Sequence, residues 1–279
     1  MDELVGRRYF GVLTTTAERV DAFVAATGDD AARWSDHAPP GFAAAALFAV
    51  APALLDDFNL EGVLHTEQRF NWASPFSVGD ELDVVGEVKS VRERSGVVMV
   101  GFSAEATRAS QPVVSSNSTF LVSATGPDGV DPDPEPAPDA AGDNDGPLRQ
   151  ELPGVGEVLP PLHKSASRTD LVRYAEASGD LNPIHTDHDA AVGAGLSGII
   201  VHGLLMVSWI VQQAGRFAEG PMPVTDLRAR FKNPLRPGVQ AVIEGSVGES
   251  DSQAAKLVMR LSSDSAELVT ATTTIRVTP

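Results

Sequence analysis

An aspartate and a histidine five residues apart are the residues of this sequence best suited to proton-transfer chemistry. Asp180 opens the string D-L-N-P-I-H, which ends at His185. Pro183 lies between them and disfavours helical dihedral angles at the residue before it, Asn182. The spacing therefore predicts a rigid turn on which a carboxylate and an imidazole converge on one point. General acid–base catalysis needs such a pair within hydrogen-bonding reach of one reacting group.

A glycine expected to begin a buried helix follows eighteen residues after the histidine. His202-Gly203 precedes the run L-L-M-V-S-W-I-V, residues 204–211, which is apolar nearly all round and predicts a buried helix. The first amides of a helix have no partner inside it and lie at the positive end of its dipole. Because glycine lets a ligand oxygen approach the backbone closely, the Gly203 amide is a candidate oxyanion-binding group.

The aspartate must be held in place by the helix that precedes it. Thr169 is a suitable N-cap, and apolar residues at helical spacing follow it. Ser178-Gly179 is expected to end this helix, since glycine just past the last periodic residue is a common C-terminal cap. Asp180 is then the first residue of the loop.

The stretch from Tyr174 to His185 matches a known motif. It reads Y-x-x-x-S-G-D-x-N-P-x-H, with Ala191 six residues after the histidine and H-G-L-L from His202. This pattern resembles the MaoC-like (R)-specific enoyl-CoA hydratases, closely over residues 165–215 and loosely over the rest of the C-terminal half. The resemblance implies a hot-dog fold, in which an antiparallel sheet wraps around one long helix.

By that resemblance the chain is an enzyme that reversibly hydrates a trans-2-enoyl-CoA, or a carrier-protein thioester, to the (R)-3-hydroxyacyl thioester. Asp180 and His185 would hold and activate water, and the Gly203 amide would take the thioester oxygen. Asn182 and His202 are the further residues of this motif expected to contact substrate. No cofactor is implied. No metal site is expected, because the histidines and carboxylates show no recognisable metal-ligand spacing.

Three alternatives stand beside this interpretation. Asp180 can simply cap a turn while His185 is a core histidine with satisfied hydrogen bonds. On the same scaffold, a thioesterase would aim water at the carbonyl carbon, and it typically uses one carboxylate without the N-P-x-H turn. A non-catalytic acyl-binding or partner subunit is the third alternative, which the complete motif disfavours.

The N-terminal part of the chain echoes the motif without its catalytic pair. The segment A-E-R-V-D-A-F-V-A-A, residues 17–26, predicts an amphipathic helix with Thr16 as its cap. It ends at Thr27-Gly28-Asp29, but Trp34 stands five residues after that aspartate. A second helix is expected over residues 41–51, as the counterpart of the helix that begins near Gly203.

Both parts of the chain continue into strands, which gives an α+β fold class with two hot-dog units in one chain. Alternation and β-branched residues predict strands near 63–71, 81–91, 96–108 and 112–123, and again near 224–233, 240–249, 254–264 and 267–277. Residues 1–124 form the degenerate N-terminal unit and residues 151–279 the catalytic unit. Between them, residues 125–150 are rich in proline and aspartate and are expected to be a linker.

One basic cluster stands out in an acidic protein. Arg228, Arg230, Lys232 and Arg236 fall within nine residues, and the first three alternate on one face of a predicted strand. We expect Arg228, Arg230 and Lys232 to bind substrate, through the phosphates of coenzyme A or the acidic surface of a carrier protein. The alternative is a set of cross-strand salt bridges on a solvated face.

Composition excludes several other classes of function. The formal net charge of −17 over 279 residues argues against general nucleic-acid binding. The absence of cysteine excludes disulfides and thiolate nucleophiles. No uninterrupted apolar run is long enough for a membrane span and no signal-peptide pattern is present, so cytoplasmic residence is expected. A homodimer or a hetero-oligomer of hot-dog units is the expected assembly.

The N-terminal unit is expected to make room for the acyl chain of the substrate. Phe42 is followed by four alanines, which leave space beside the backbone, and Pro52 should end or kink the helix. We therefore expect a medium, long or bulky acyl group to be preferred over a four-carbon one. The alternative is that the alanines only allow tight packing of helix on sheet.

Overall fold

The computed structural model describes residues 4–58, 63–94, 97–123, 151–263 and 266–276. Ten of its strands form one antiparallel sheet shared by the two halves of the chain. The strands of the N-terminal half are β1 (Arg8–Thr14), β2 (His37–Ala38), β3 (Leu64–Trp72), β4 (Phe76–Ser77), β5 (Glu81–Arg94), β6 (Val97–Arg108) and β7 (Gln111–Ser123). Those of the C-terminal half are β8 (Val158–Lys164), β9 (Val224–Phe231), β10 (Ala241–Ser250), β11 (Ala254–Ser263) and β12 (Ala266–Arg276).

The strand order shows that the two halves have the same topology. It runs β1-β5-β6-β7-β3-β9-β12-β11-β10-β8, so that each half contributes five consecutive strands, and β2 pairs only with β4. The halves meet where β3 pairs with β9, from Glu67 opposite Arg230 to Asn71 opposite Asp226. The eight strands predicted from the sequence are present.

The two edge strands, β1 and β8, were not predicted from the sequence. Strand β8 contains Pro160-Pro161, and proline cannot donate a ladder hydrogen bond, so it is tolerated in strands chiefly at sheet edges. Strand β1 contains Gly11, which weakens a strand signal. A Cβ at position 11 would lie 2.3 Å from the Ala49 carbonyl oxygen, so glycine is required for the close approach of the chain there.

The helices of the described residues are α1 (Ala17–Thr27), α2 (Ala43–Phe48), α3 (Ala51–Phe58), α4 (Arg168–Ser178), α5 (His188–Gly193) and α6 (Gly203–Gly215). Helix α6 is buried along residues 204–211, as its uniformly apolar sequence predicts. Its N-terminal counterpart is interrupted at residues 49–50, between α2 and α3. Pro52 accounts for the break, because a helical proline clashes with the carbonyl four residues earlier, here that of Phe48. No described helix combines the length and apolar character needed to cross a bilayer.

The C-terminal caps of α1 and α4 determine where the following aspartates, Asp29 and Asp180, are placed. Both helices end at a glycine in the left-handed conformation, Gly28 with φ 60° and Gly179 with φ 85°. The Thr16 side chain caps α1, as predicted. The prediction for α4 is wrong by two residues: Ser167 is the N-cap, because it forms a reciprocal capping box with Asp170 that Thr169 does not offer.

Candidate active site

Asp180 is buried immediately beyond the C-terminus of α4. Its amide donates to Ser178 Oγ at 3.2 Å, which fixes the residue as the backbone leaves the helix. One carboxylate oxygen, Oδ1, accepts a 3.5 Å hydrogen bond from the Asn182 amide. Burial raises the pKa of Asp180 from 3.8 to about 7, and the hydrogen bond from Asn182 opposes this shift only in part. The carboxyl group is therefore poised to gain and lose a proton near neutral pH.

His185 ends the short 3-10 helix Pro183–His185. Its Nδ1 lies 2.8 Å from the Ile200 carbonyl oxygen, and because a carbonyl only accepts, Nδ1 carries the proton. Burial lowers the pKa of His185 to about 4, so the ring is neutral and Nε2 keeps a free lone pair. That Nε2 lies 4.0 Å from Asp180 Oδ2. The predicted convergence of carboxylate and imidazole is thus present.

Asn182 holds the turn between them and joins the two halves. Its Oδ1 accepts from the Ile184 amide at 3.3 Å, and its Nδ2 donates to the Val63 carbonyl at 3.3 Å. The side chain lines the catalytic cavity described below. Since both ends of the amide are already engaged, its first role is to position the loop.

His202 is buried directly beneath the catalytic pair. Its ring stacks on that of His185, with centroids 3.8 Å apart and planes 26° apart, and its Nε2 donates to the Asp180 carbonyl at 3.2 Å. The side chain is 0 % exposed and does not line the cavity. The expectation that His202 touches substrate therefore needs correction: a residue without exposed surface can only support Asp180 and His185 from below.

Asp180, His185 and His202 are also the described residues that come closest to a metal-ligand cluster, with one ligand atom of each within 4.8 Å of the others. The stacked rings do not suit an ion. Imidazole coordinates through a lone pair in the plane of its ring, and rings stacked 3.8 Å apart at an angle of 26° offer no point close to their nitrogens that lies in both planes. The geometry favours proton transfer over metal binding.

Gly203 opens α6, as predicted, and it also lines the cavity described below. As the first residue of the helix, it has an amide without a partner inside the helix. A Cβ at this position would lie 3.1 Å from the ring of Phe231, so a larger residue would displace that ring. Glycine at position 203 therefore leaves the space beside this backbone open without any shift of Phe231.

The cavity that contains these groups has a volume of about 180 Å³ and is closed by both halves of the chain; we call it the catalytic cavity. The C-terminal half contributes the polar groups. The N-terminal half contributes a mainly apolar wall that includes Phe48, Ala51, Leu55, Val63, His65 and Phe120. The four alanines at 43–46 are buried in the core and do not line the cavity, so the room beside the acid–base pair comes from α3 instead.

His65 is a cavity residue that sequence reasoning missed. Its ring lies between those of Phe120 and Phe231, at centroid distances of 4.8 and 5.1 Å. Burial lowers the pKa of His65 to about 4, so the ring is neutral. No local motif marks it, since its position depends on the pairing of β3 with β9 far along the chain.

Two of the three predicted basic residues, Arg228 and Arg230, lie on β9, and Lys232 directly follows that strand. Lys232 lines the catalytic cavity. Arg228 lies outside it and donates to Glu67 at 2.9 Å, while Arg230 lies 3.8 Å from the same carboxylate. The salt-bridge alternative therefore describes both Arg228 and Arg230, and of the three only Lys232 lines the catalytic cavity.

Comparison with known proteins gives a separate family match in each half of the chain. Residues 155–267 match the family described as MaoC like domain, and residues 4–116 match the FAS1-like, dehydratase domain region. The UPF0336 protein PPA1896 of Cutibacterium acnes is 34 % identical over 106 residues, which is 35 % of this chain and 75 % of that protein. The 3-hydroxyacyl-thioester dehydratase X of Mycobacterium tuberculosis is 24 % identical over 229 residues, or 79 % of this chain and 69 % of the relative.

A solved structure described as a MaoC-like dehydratase superposes with a TM-score of 0.82 at 24 % identity, and covers 99 % of both chains. The shared architecture, with two five-stranded halves joined in one sheet, is the double hot-dog fold. The motif around Asp180, its placement at a shared cavity and these matches lead to one assignment. The chain has the double hot-dog fold, with a MaoC like domain over residues 155–267 and a FAS1-like, dehydratase domain region over residues 4–116.

Proposed function

We propose that this protein adds water reversibly to a trans-2-enoyl thioester to give the (R)-3-hydroxyacyl thioester. The observation that carries the proposal is the pair of acceptors Asp180 Oδ2 and His185 Nε2, 4.0 Å apart at a cavity that also exposes the Gly203 amide. Relatives named as 3-hydroxyacyl-thioester dehydratases support the same class, the hydro-lyases.

The two acceptors suit one water molecule. Neutral His185 has its proton on Nδ1, so its Nε2 can accept one hydrogen of the water while Asp180 accepts the other. The oxygen lone pairs of that water then face the substrate. This arrangement orients the nucleophile without charging the imidazole, whose pKa of about 4 makes the protonated form costly.

The reaction then needs three balanced changes. The water oxygen bonds to C3 as its proton passes to Asp180, and electrons of the double bond move onto the thioester oxygen. The Gly203 amide donates to that oxygen, a contribution often worth about 3 kcal/mol. Asp180 returns a proton to C2, which restores the carboxylate and completes the addition of water. Dehydration is the same path reversed.

The apolar wall from the N-terminal half is where we place the acyl chain. Leu55 and Phe120 face a cavity that the acid–base groups reach from the other half. The substrate class follows as an acyl thioester of coenzyme A or of a carrier protein. The boundaries 1–124, 125–150 and 151–279, a cytoplasmic location and an assembly of several chains stay predictions; the whole predicted linker lies outside the described residues.

One assay tests the proposal and separates it from thioester hydrolysis. Purified protein should consume the conjugated double bond of an enoyl-CoA, followed by its absorbance, and release no free thiol. Chiral analysis should give the (R)-3-hydroxyacyl product. Release of coenzyme A without loss of the double bond would identify a thioesterase, and no change in either signal would indicate a non-catalytic subunit.

A further inference from the structure

The C-terminal end of α4 is held by a residue from the other half of the chain. Arg19, on α1, donates from its Nε to the carbonyl oxygen of Ala177 at 3.2 Å. Ala177 lies in the last turn of α4, three residues before Asp180. The carbonyls of a last helical turn have no partner within their own helix. The contact with Arg19 therefore ties the point at which the chain leaves α4 to the N-terminal half.

The guanidinium of Arg19 also lies close to the residue that directly precedes Asp180. A Cβ at Gly179 would be 4.0 Å from Arg19 Nη2. The Cζ of Arg19 lies 5.8 Å from the centroid of the Phe42 ring, a cation–π contact that restrains the side chain further. Arg19 is thus fixed beside the backbone that leads into the catalytic loop.

The positive charge of Arg19 is matched to this helix end. Arg19 is half-buried, burial lowers the pKa of its guanidinium below the usual value, and no carboxylate among the described residues pairs with it to oppose that shift. Helix α4 has no basic residue in its own last turn. A cation at a helix C-terminus is favourable, because the helix dipole leaves partial negative charge there. Arg19 supplies from the other half the charge that α4 lacks.

Helix α1 supports the histidine of the pair as well, through packed rings. The ring of Phe23, on α1, lies 5.6 Å from that of Tyr174, on α4. Tyr174 in turn lies 5.0 Å from His202, whose ring stacks on that of His185. All four rings are buried. Helix α1 therefore contacts the supports of both members of the pair, the end of α4 and the row of rings.

The end of α1 is held in the same manner by the C-terminal half. Lys164, the last residue of β8, donates from Nζ to the carbonyls of Thr27 and Gly28, at 3.3 and 2.8 Å. The next residue along the chain is Asp29, which has no histidine five positions later. Lys164 and Arg19 therefore make comparable contacts between the halves, one beside an aspartate without a catalytic partner and one beside Asp180.

We propose that Arg19 is a positioning residue for the reaction: by holding the last turn of α4, it places the Asp180 carboxylate opposite His185 Nε2. This inference rests on the proposed function, and it gives the half that lacks an acid–base pair a role in turnover. Catalytic groups must be held to within about 0.5 Å, and a displacement of about 1 Å can cost a hundredfold in rate. Arg19 does not line the catalytic cavity, so its loss should affect turnover and not substrate binding.

Replacing Arg19 tests the inference by separating kcat from KM. Arg19→Met removes the donor and the charge but keeps the apolar stem, and should lower kcat about tenfold while KM for an enoyl-CoA changes less than twofold. Arg19→Lys should recover most of the loss, because a single carbonyl needs one cationic donor and not the planar fork of arginine.

Lys164→Met is the matched control. It releases the end of α1 beside Asp29 and should leave kcat within twofold of wild type. If Lys164→Met lowers kcat as much as Arg19→Met does, or if Arg19→Lys recovers nothing, Arg19 is only one of the contacts that hold the halves together and the inference fails.

Hydrogen exchange followed by mass spectrometry tests the positioning without turnover. In Arg19→Met, the amides of residues 179–182 should exchange about tenfold faster than in wild type, because the loop loses a charged hydrogen bond and opens more often. In Lys164→Met, these amides should keep their wild-type rates. If the wild type hydrates no thioester but Arg19→Met loosens residues 179–182, the proposed function fails while the positioning of Asp180 by Arg19 stands. Unchanged exchange and unchanged kcat in Arg19→Met would overturn the inference.

Discussion

Two cavities of similar volume lie at equivalent places in the two halves, and only one of them has an acid–base pair. The catalytic cavity measures about 180 Å³; the other, which we call the N-terminal cavity, measures about 160 Å³. Each lies beside a helix that ends in a left-handed glycine followed by an aspartate, Asp180 in one case and Asp29 in the other. Each is also lined by a glycine at the start of the central helical segment, Gly203 or Gly41.

The residue five positions after each aspartate explains the difference. His185 faces Asp180, whereas Trp34 fills the corresponding place and is buried with the guanidinium of Arg33 stacked 4.8 Å from its ring. Arg33 also donates to the carbonyls of Gly215 and Ala218, at 2.8 Å each. The N-terminal loop therefore serves to anchor the end of α6.

The C-terminal loop has a similar anchoring contact, from Asn182 to Val63, and retains the catalytic pair as well. Anchoring between the halves is thus common to both loops, while the proposed proton transfer also needs a histidine five residues after the aspartate, which only the C-terminal loop has. The contacts that hold the halves together are therefore separable from the aspartate–histidine pair, because the N-terminal loop has the first without the second.

Replacing Asp180 and Asp29 in turn should give the largest difference in turnover between the two cavities. Asp180→Asn should lower turnover at least a hundredfold, as should His185→Gln, because general acid–base groups typically contribute that much. Asp29→Asn is the matched control and should leave turnover unchanged. Steady-state rates with melting curves check this; a wild-type rate for Asp180→Asn at an unchanged melting temperature would refute the assignment.

Truncating Trp34 should have the opposite effect to replacing Asp180: stability should fall while turnover is kept. Trp34→Ala removes a buried aromatic side chain and should cost about 3 kcal/mol of unfolding free energy, with kcat unchanged. Denaturant unfolding measures the first quantity and enzyme assay the second. A loss of kcat without loss of stability would mean that the N-terminal cavity takes part in the reaction.

The pH dependence should belong to Asp180 alone. Hydration requires its carboxylate, so kcat/KM should rise about tenfold per pH unit below pH 7 and level off above it. The pKa of His185, near 4, adds no second ionisation in this range. A bell-shaped profile with a descending limb near pH 7 would contradict this prediction.

The free energy of unfolding should also depend on the protonation of Asp180, but it should fall, whereas activity rises, as the pH increases. Burial raises the folded-state pKa of Asp180 from 3.8 to about 7, so the folded state holds the proton more tightly than the unfolded state. Its contribution to stability is complete below about pH 4 and is lost as pH rises through 7. Asp180→Asn should therefore gain stability relative to wild type as the pH of the melting experiment is raised.

Acyl length should produce a smaller effect, through the wall of the catalytic cavity. Each added methylene that is buried contributes up to about 0.8 kcal/mol, so kcat/KM should rise up to about fourfold per carbon beyond crotonyl-CoA until the space is filled. Leu55→Trp narrows that wall and should move the optimum to shorter chains. Val172→Trp, on the exposed face of α4, is the control. A series that peaks at four carbons would contradict the prediction.

The smallest effect should follow from shortening the linker. Deleting most of residues 128–145 should leave activity nearly unchanged while the remainder still spans the halves, since loop length changes stability only slowly. A large fall in melting temperature would show that this segment packs against the protein. These residues lie outside those the structure describes.

The sequence alone was sufficient to predict the features that depend on residues close together along the chain. The Asp180–His185 turn, the glycine caps and α6 follow from residue types that act within a few positions of one another. Trp34 in place of histidine already indicated that the N-terminal half lacks a catalytic pair. Local rules of this kind hold because they do not depend on the rest of the fold.

The features that were missed depend on contacts between distant parts of the chain. His65 reaches the catalytic cavity through the pairing of β3 with β9, a contact that joins Arg228 to Glu67 across 161 residues. Burial of His202 could not be predicted either, because its ring is covered by His185 and Tyr174 in the folded chain. Edge strands β1 and β8 tolerate glycine and proline that would disqualify a central strand.

The pairing of β3 with β9 joins two hot-dog units within one polypeptide, a contact that separate hot-dog chains would make between subunits. Two separate hot-dog chains must associate to build such a sheet, so their active fraction falls on dilution, as for any assembly governed by mass action. Here both partners of the contact belong to the same molecule, and their effective concentration is fixed by covalent connection. Each molecule can therefore complete its own catalytic cavity, and specific activity should stay constant at protein concentrations far below those at which separate units would come apart.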